Sequence, residues 1–409
     1  MPKSAVISIG NEILLGKTLN SNLAYLASEL ALLGLPVEFS LTVKDEPDAI
    51  YNALLQCWQG YDVVITTGGL GPTTDDITKR VIADFFGSEL VFDEAVWKQV
   101  QTLFAARHLP TPQINRNQAM VPKGFQALRN ERGTAPGLFF EQEHKSFFAL
   151  AGVPLEMKFV FDTQIRDILK QKYGSECAII QRTLHSFGIS ESALAELIPT
   201  ELIPPKVNLA WLPQTGRVDL RFWGSDEQSI ETAIARVLPR IEDKIWGMDN
   251  DTPVSVLHAQ FRRLGYSLSV AESCTGGLLQ QMITNLAGAS EFFLGGMVSY
   301  GNDLKIKALK VNQTTLEEYG AVSENCAMEM VKGIKLLTES DCAISVTGVA
   351  GPSGGTDSKP VGTVCFGFSA LDLSWTLTQH FNGDRWSIRH KAAEFAILHL
   401  IKHLQGCNS

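Results

Sequence analysis

The sequence predicts an α/β protein of three domains: a three-layer parallel-sheet domain over residues 1–172, a small α+β domain over 173–250 and a second α/β domain over 251–409. Three observations predict it. Short β-branched runs alternate with segments of helical period at both ends of the chain, the pattern that strand–helix–strand units lay down. Several of those runs pass straight into glycine-rich turns that open a helix, and between about 175 and 248 the alternation changes. A chain of 409 residues also exceeds what one hydrophobic core usually serves.

Taken in order, Ser4 to Gly10 reads as a first strand, and Ser21 is expected to cap a helix bearing Leu23, Leu26, Ala27, Leu30 and Leu33, closed by Gly34. Val37 to Val43 is a strand, Pro47 to Trp58 a helix, and Asp62 to Thr67 a buried strand entering Gly68-Gly69-Leu70-Gly71-Pro72. His144 to Ala151 is a further strand, and Leu155 to Lys172 the helix that ends the domain. The middle segment offers a strand from Ala178 to His185, a helix from Glu191 to Ile198, two strands around Gln214-Thr215-Gly216 and a helix from Glu227 to Asp243. This order resembles a KH-like module, but the G-x-x-G loop that such modules use on RNA backbones is missing, so a spacer role is expected. Gly247 to Pro253 reads as a linker. The third domain then opens with a helix to Leu264, the strand Ser267 to Ala271 and the turn Glu272-Ser273-Cys274-Thr275-Gly276-Gly277.

Bulk properties bound the function. Hydrophobic residues make up 45% and charged residues 19%, which is ordinary globular composition. A formal net charge of -9 repels phosphate backbones, which argues against nucleic acid as a partner while leaving room for a small nucleotide held by local amides and cations. The seven cysteines are scattered and never spaced C-x-x-C, so neither a disulfide framework nor a zinc site is expected. The first apolar run is too short for a signal peptide, and no stretch approaches the roughly 18 apolar residues of a membrane span, so a cytoplasmic location and no membrane partner are expected.

The chemistry-bearing residues of the C-terminal domain lie at strand ends. Ser273 sits in a small-residue turn, where its hydroxyl could attack a carbonyl while the amides of Thr275, Gly276 and Gly277 receive the developing charge; equally, Ser and Thr cap helices and Gly makes turns. The strand Gly296 to Tyr300 leads into a helix bearing Lys305. A desolvated lysine there can take the proton of a serine, with Tyr300 relaying or orienting, although Lys305 and Lys307 also fit a solvated helix face. The run Ala343 to Val346 ends in Thr347-Gly348-Val349-Ala350-Gly351-Pro352, where glycines allow close approach of a ligand. Arg385, after Gly383-Asp384, could fork onto a phosphate or merely follow a helix cap.

Together the segments A-E-S-C-T-G-G (271–277), V-S-Y-G-N-D-L-K (298–305), G-A-V-S-E (320–324), T-G-V-A-G-P (347–352), K-P-V-G-T-V (359–364) and G-D-R (383–385) resemble the PncC domain, the nicotinamide-nucleotide amidohydrolase family. The resemblance implies hydrolysis of nicotinamide mononucleotide to nicotinic acid mononucleotide and ammonia without a metal. Ser273 would be the nucleophile with Thr275 as the alternative, Lys305 the base, Tyr300 a positioning or relay group, and Arg385 a substrate contact. Thr275, Gly276, Gly277, Thr347, Gly348 and Gly351 complete the expected binding surface.

At the other end, Gly68, Gly69 and Gly71 stand at the carboxyl edge of the predicted sheet, where ligands usually sit. Glu12, Asp75 and Asp76 could hold a hard divalent ion against a pyrophosphate, although Asp75 and Asp76 also fit a helix cap and first turn. G-N-E-I-L-L-G-K (10–17), G-G-L-G-P-T-T-D-D (68–76), G-T-A-P-G (133–137) and G-V-P-L-E-M (152–157) resemble the molybdopterin-binding-like domain of the CinA, or competence/damage-inducible, family. Some members hydrolyse ADP-ribose to AMP and ribose 5-phosphate with a divalent cation (Mg, Mn or Co) and potassium, and the family's habit implies a homodimer. Asn11 and Asn20 stand where aspartates are common, and Ala151 replaces a usual proline. A non-catalytic nucleotide sensor linked to competence or DNA damage and a pterin-cofactor binder are the alternative readings.

Overall fold

The computed structural model describes residues 2–73, 76–174, 179–214 and 216–406. Contacts divide the chain into two compact units, Met1–Gln181 and Arg182–Ser409, so the middle and C-terminal segments belong to one unit. Asp75, Ala178 and Thr215, which carry parts of the sequence expectations, lie outside the described residues.

The first unit contains strands β1 (Ser4–Ile9), β2 (Val37–Val43), β3 (Val63–Thr67), β4 (Leu90–Phe92), β5 (Met120–Pro122), β6 (Gln126–Leu128), β7 (Gly137–Gln142) and β8 (Lys145–Leu150). The main sheet runs β2-β1-β3-β8-β7-β6, while β4 and β5 form a separate antiparallel ribbon. β2, β1, β3 and β8 are parallel, as the sequence predicts. The sheet is nevertheless mixed, because β7 and β8 pair antiparallel. Only Glu143 and His144 separate those strands, and so short a loop can join only antiparallel neighbours; Glu143 takes the left-handed conformation the turn needs.

Side chains of the central strands alternate between two cores, which makes this a three-layer domain. Val6, Ile65 and Phe148 pack with Leu26, Leu30, Met157 and Phe161, whereas Ala5, Ile7, Val64 and Phe147 pack with Ile50, Leu54 and Ile82. The helix Ser21–Leu32 is capped by Asn20, not by Ser21. Asn20 Oδ1 accepts the Leu23 N–H at 3.1 Å while its Nδ2 donates to Ser8 Oγ at 2.8 Å.

In the second unit, β9 (Ile180–Ser186), β10 (Asn208–Gln214), β11 (Arg217–Gly224) and β12 (Ile245–Met248) form a sheet in the order β10-β11-β9-β12. β12 corrects the expected linker: Gly247 is a strand residue, drawn into the sheet by the buried Trp246 beside it. Arg217 reaches from this sheet to Glu394 and Asp219, tying the middle module to the C-terminal helix Arg385–Gly406.

The C-terminal sheet comprises β13 (Leu268–Glu272), β14 (Phe293–Val298), β15 (Cys342–Gly348), β16 (Thr363–Ala370) and β17 (Leu373–His380), ordered β14-β13-β15-β16-β17. β13 is parallel to both neighbours, and β16 and β17 extend the sheet antiparallel. Leu268, Val270 and Ile344 face the helices Pro253–Leu264 and Arg385–Gly406, while Ala271 and Ala343 face Glu324–Thr338. Among the described residues, no helix is long and apolar enough to cross a membrane.

One close approach in this layer bears on the site. The helix Glu324–Thr338 crosses the end of Asn302–Leu309 at Gly333, where an added Cβ would fall 2.0 Å from the Leu309 carbonyl oxygen. Gly333→Ala should therefore push the helix that carries Lys305 away from the sheet. The expected cost is about 1–3 kcal/mol of stability, read by chemical denaturation.

Candidate active site

β13 is buried throughout, and the chain leaves its carboxyl end between β14 on one side and β15 on the other. In an open sheet this reversal of strand order opens a crevice. Ser273 stands there, its backbone N–H still donating to the Val346 carbonyl at 2.8 Å, so the nucleophile candidate is held by the sheet itself.

Lys305 enters from the helix Asn302–Leu309 and is only 1% exposed. Its Nζ lies 3.1 Å from Ser273 Oγ, 2.7 Å from the Ser299 carbonyl and 3.3 Å from the Tyr300 carbonyl. The solvated-face alternative is thus excluded for Lys305. Burial pushes its amine below the usual lysine range. Cys274 and Cys326 could oppose this only as thiolates, yet burial pushes their own thiols up to about 12 and about 11, so both are neutral and lend no counter-charge. A neutral amine has two N–H donors and one lone pair. In that form two carbonyls match the donors and the lone pair can accept from the Ser273 hydroxyl; in the ammonium form Nζ donates to all three oxygens, Ser273 Oγ included.

The turn after Ser273 differs from the expectation. Glu272 is fully buried, and its carboxylate accepts from the backbone N–H groups of Gly277 (2.9 Å), Leu279 (3.1 Å) and Gln280 (2.9 Å). The Gly276 N–H donates to the Ser273 carbonyl at 3.0 Å. Two of the three amides expected to hold an anion are therefore committed inside the turn. The sequence assigns Glu272 no role; its signal is an acid at the end of a buried strand, six residues before the helix Leu278–Thr284.

Tyr300 and Arg385 are paired with each other at the edge of the crevice. Tyr300 is 60% exposed, and its hydroxyl meets Arg385 Nη2 at 3.1 Å while its backbone carbonyl is what touches Lys305. Arg385 Nη1 donates to the Gly351 carbonyl at 2.7 Å, so this arginine gathers the loops of Tyr300 and Gly351 at the rim. Thr347 Oγ1 donates to the Ala321 carbonyl at 2.7 Å, and a Cβ on Gly348 would meet the Thr363 carbonyl at 2.8 Å. Thr275 is fully buried and its Oγ1 has no partner among the described residues, so Lys305 reaches Ser273 and not the alternative nucleophile. Arg389, missed in the sequence, donates from Nη2 to the Thr275 carbonyl at 2.6 Å. Its helical spacing of four from Arg385 was the available signal.

In the first unit, Gly68 and Gly69 take left-handed conformations, and a Cβ on Gly68 would fall 2.1 Å from the Ile9 carbonyl oxygen. The loop can lie against β1 only without side chains there. Asp76 folds back to accept from the Thr73 N–H at 3.0 Å and from the Thr73 hydroxyl. Glu12 is exposed on the short helix Asn11–Leu14. Among the described residues no three His, Cys, Asp or Glu side chains come together as a metal set. Of the expected trio, Glu12 and Asp76 belong to no such set of three among the described residues, and Asp75 lies outside them.

Two α/β domains with glycine loops at sheet edges, flanking a small KH-like module, define the class of this chain. Three family models match in the same order: Probable molybdopterin binding domain over 5–171, Damage-inducible protein CinA KH domain over 181–247, and CinA C-terminal domain over 250–404. The chain is 39% identical to a CinA-like protein of Nostoc sp. over 99% of its own length and 96% of that relative. It is likewise 39% identical to a CinA-like protein of Chloroherpeton thalassium over 98% of each. The solved protein CinA from Thermoplasma acidophilum is 32% identical, covering 41% of this chain and 98% of that one, with a TM-score of 0.38. The chain belongs to the CinA family.

Glu272 sets the stability of this site. Glu272→Gln keeps the shape but turns one acceptor into a donor facing backbone N–H groups. Urea unfolding should show a loss of about 1–3 kcal/mol.

Proposed function

We propose that the C-terminal domain hydrolyses the carboxamide of nicotinamide mononucleotide to nicotinic acid mononucleotide and ammonia. The observation that carries this reading is the 3.1 Å approach of a buried, desolvated Lys305 amine to the Ser273 hydroxyl. Ser273 Oγ bonds to the amide carbon as its proton passes to Lys305 Nζ. That proton then goes to the amide nitrogen as the C–N bond breaks and ammonia leaves. Water attacks the resulting ester, gives its proton to Lys305 Nζ, and Lys305 returns it to Ser273 Oγ as the carboxylic acid departs. Arg385 and Tyr300, paired at the rim, are placed to contact the nucleotide. A purely sensing role would need none of this pairing.

Ser273→Ala and Lys305→Met should each cut ammonia release by at least about a thousandfold, while Thr275→Val retains far more activity. Equal turnover by Ser273→Ala and the parent would end the proposal. Because the active lysine is the neutral one, kcat/KM should rise with pH through the folded pKa of Lys305, below the ordinary lysine range, and fall away under it.

For the N-terminal domain we propose hydrolysis of ADP-ribose to AMP and ribose 5-phosphate, supported by the cavities on either side of Gly71 and Asp76. A divalent cation, with potassium, belongs to this proposal, as do a homodimeric assembly and a cytoplasmic location. Chelation should abolish AMP formation and spare ammonia release, measured by chromatography of both products. Equal sensitivity of the two would contradict the metal-free serine route.

A further inference from the structure

Two buried polar side chains beside the N-terminal glycine loop lack partners among the described residues. Thr78 Oγ1 lies where a Cβ on Gly69 would come within 2.0 Å of it. Gln118, fully buried, has neither its amide oxygen nor its amide nitrogen satisfied. Such an amide costs stability unless something else completes its hydrogen bonds. Gln118 lines a cavity of about 320 Å³ with Gly69, Gly71, Asp76 and Glu156.

A second cavity, of about 290 Å³, shares Gly71 and Asp76 with the first and is lined by Lys79, Arg80 and Asn117. One short turn, Gln113–Ala119, serves both spaces. Its Gln118 borders the first with a buried, unpartnered amide, while its Asn117 and Gln118 carbonyls accept from Lys79 Nζ at 2.9 and 3.4 Å. An ammonium has three N–H groups, so Lys79 keeps one for a ligand. The two spaces differ in charge. Asp76 borders both; Glu156 adds a second acid to the first, and Lys79 and Arg80 bring two cations to the second.

We propose that these cavities divide one phosphorylated ligand between them: Gln118 takes a group that both donates and accepts, a ribose diol or a purine edge, and Lys79 with Arg80 holds the phosphate. The inference rests on the nucleotide reading of this domain and adds the residues that select the ligand. Both ribose hydroxyls and the adenine edge present the donor–acceptor pair an amide matches. An anion is disfavoured beside Glu156 and favoured between the two cations.

Calorimetric titration of the full chain with ADP-ribose, adenosine, ribose 5-phosphate and inorganic phosphate tests this division. Gln118→Met should weaken ADP-ribose about tenfold and leave inorganic phosphate unchanged. Lys79→Met should weaken ADP-ribose and phosphate alike and leave adenosine unchanged. Sensitivity of adenosine to Gln118→Met places the nucleoside in the first cavity, and sensitivity of ribose 5-phosphate alone places the terminal sugar there. Removing an amide with unmade bonds should also raise the melting temperature of Gln118→Met. A Gln118→Met protein that melts lower, or that binds ADP-ribose as tightly as the parent, overturns the division. A parent that binds no ADP-ribose overturns the nucleotide reading as well.

Discussion

An amine held away from water, with no counter-ion among the described residues, is the constraint on which the C-terminal domain turns. Charging Lys305 where it lies would require paying desolvation against two carbonyl dipoles, the Ser273 hydroxyl and two neutral thiols. Burial shifts the balance toward the neutral form, and a neutral amine is a base. The rest of the domain follows from keeping it there: the sheet fixes Ser273 through Val346, and Gly333 lets two helices close over Leu309. Glu272 locks the turn between nucleophile and helix.

Much of this was legible in the sequence for a simple reason. Buried parallel strands write themselves as apolar runs, so β1, β3, β13 and β15 could be placed, and Ser273 and Lys305 could be assigned to the ends of adjacent strands. What was not legible depends on contacts between distant segments. Nothing local to Gly247 says that Trp246 buries itself and makes a strand. Asn20 displaces Ser21 as the cap because Ser8, on another element, is there to receive its amide. Tyr300 sits in the right motif, yet its hydroxyl is turned to Arg385, 85 residues on, and only its carbonyl serves the lysine.

Two glycine-rich turns of this chain, around Gly68 and around Gly276, look alike as sequence and differ as structure. Around Gly68 and Gly69 the glycines let the loop lie on β1, Asp76 satisfies the loop from within, and open cavities remain beside it. Around Gly276 and Gly277 the backbone donors are spent on Glu272 and on the Ser273 carbonyl. Glycine content therefore marks where backbone can bend sharply; whether its amides face a ligand depends on which acceptors the fold has already supplied.

That distinction changes where charge can be stabilised beside Ser273. On the deamidase reading an oxyanion forms at the amide carbon, and donors aimed at it carry a large share of the rate. A helix terminus whose first amides already hold a carboxylate offers it little, because the same dipole cannot serve two anions equally. Thr275 Oγ1 and Arg389 Nε are buried donors without partners among the described residues, on groups joined through the Thr275 carbonyl. The electrostatics of the turn thus pass from the helix dipole to side chains. Glu272 fixes the geometry in which Thr275 and Arg389 are presented, and the C-terminal helix, by carrying Arg385 at its first turn and Arg389 one turn on, joins the rim of the site to its floor.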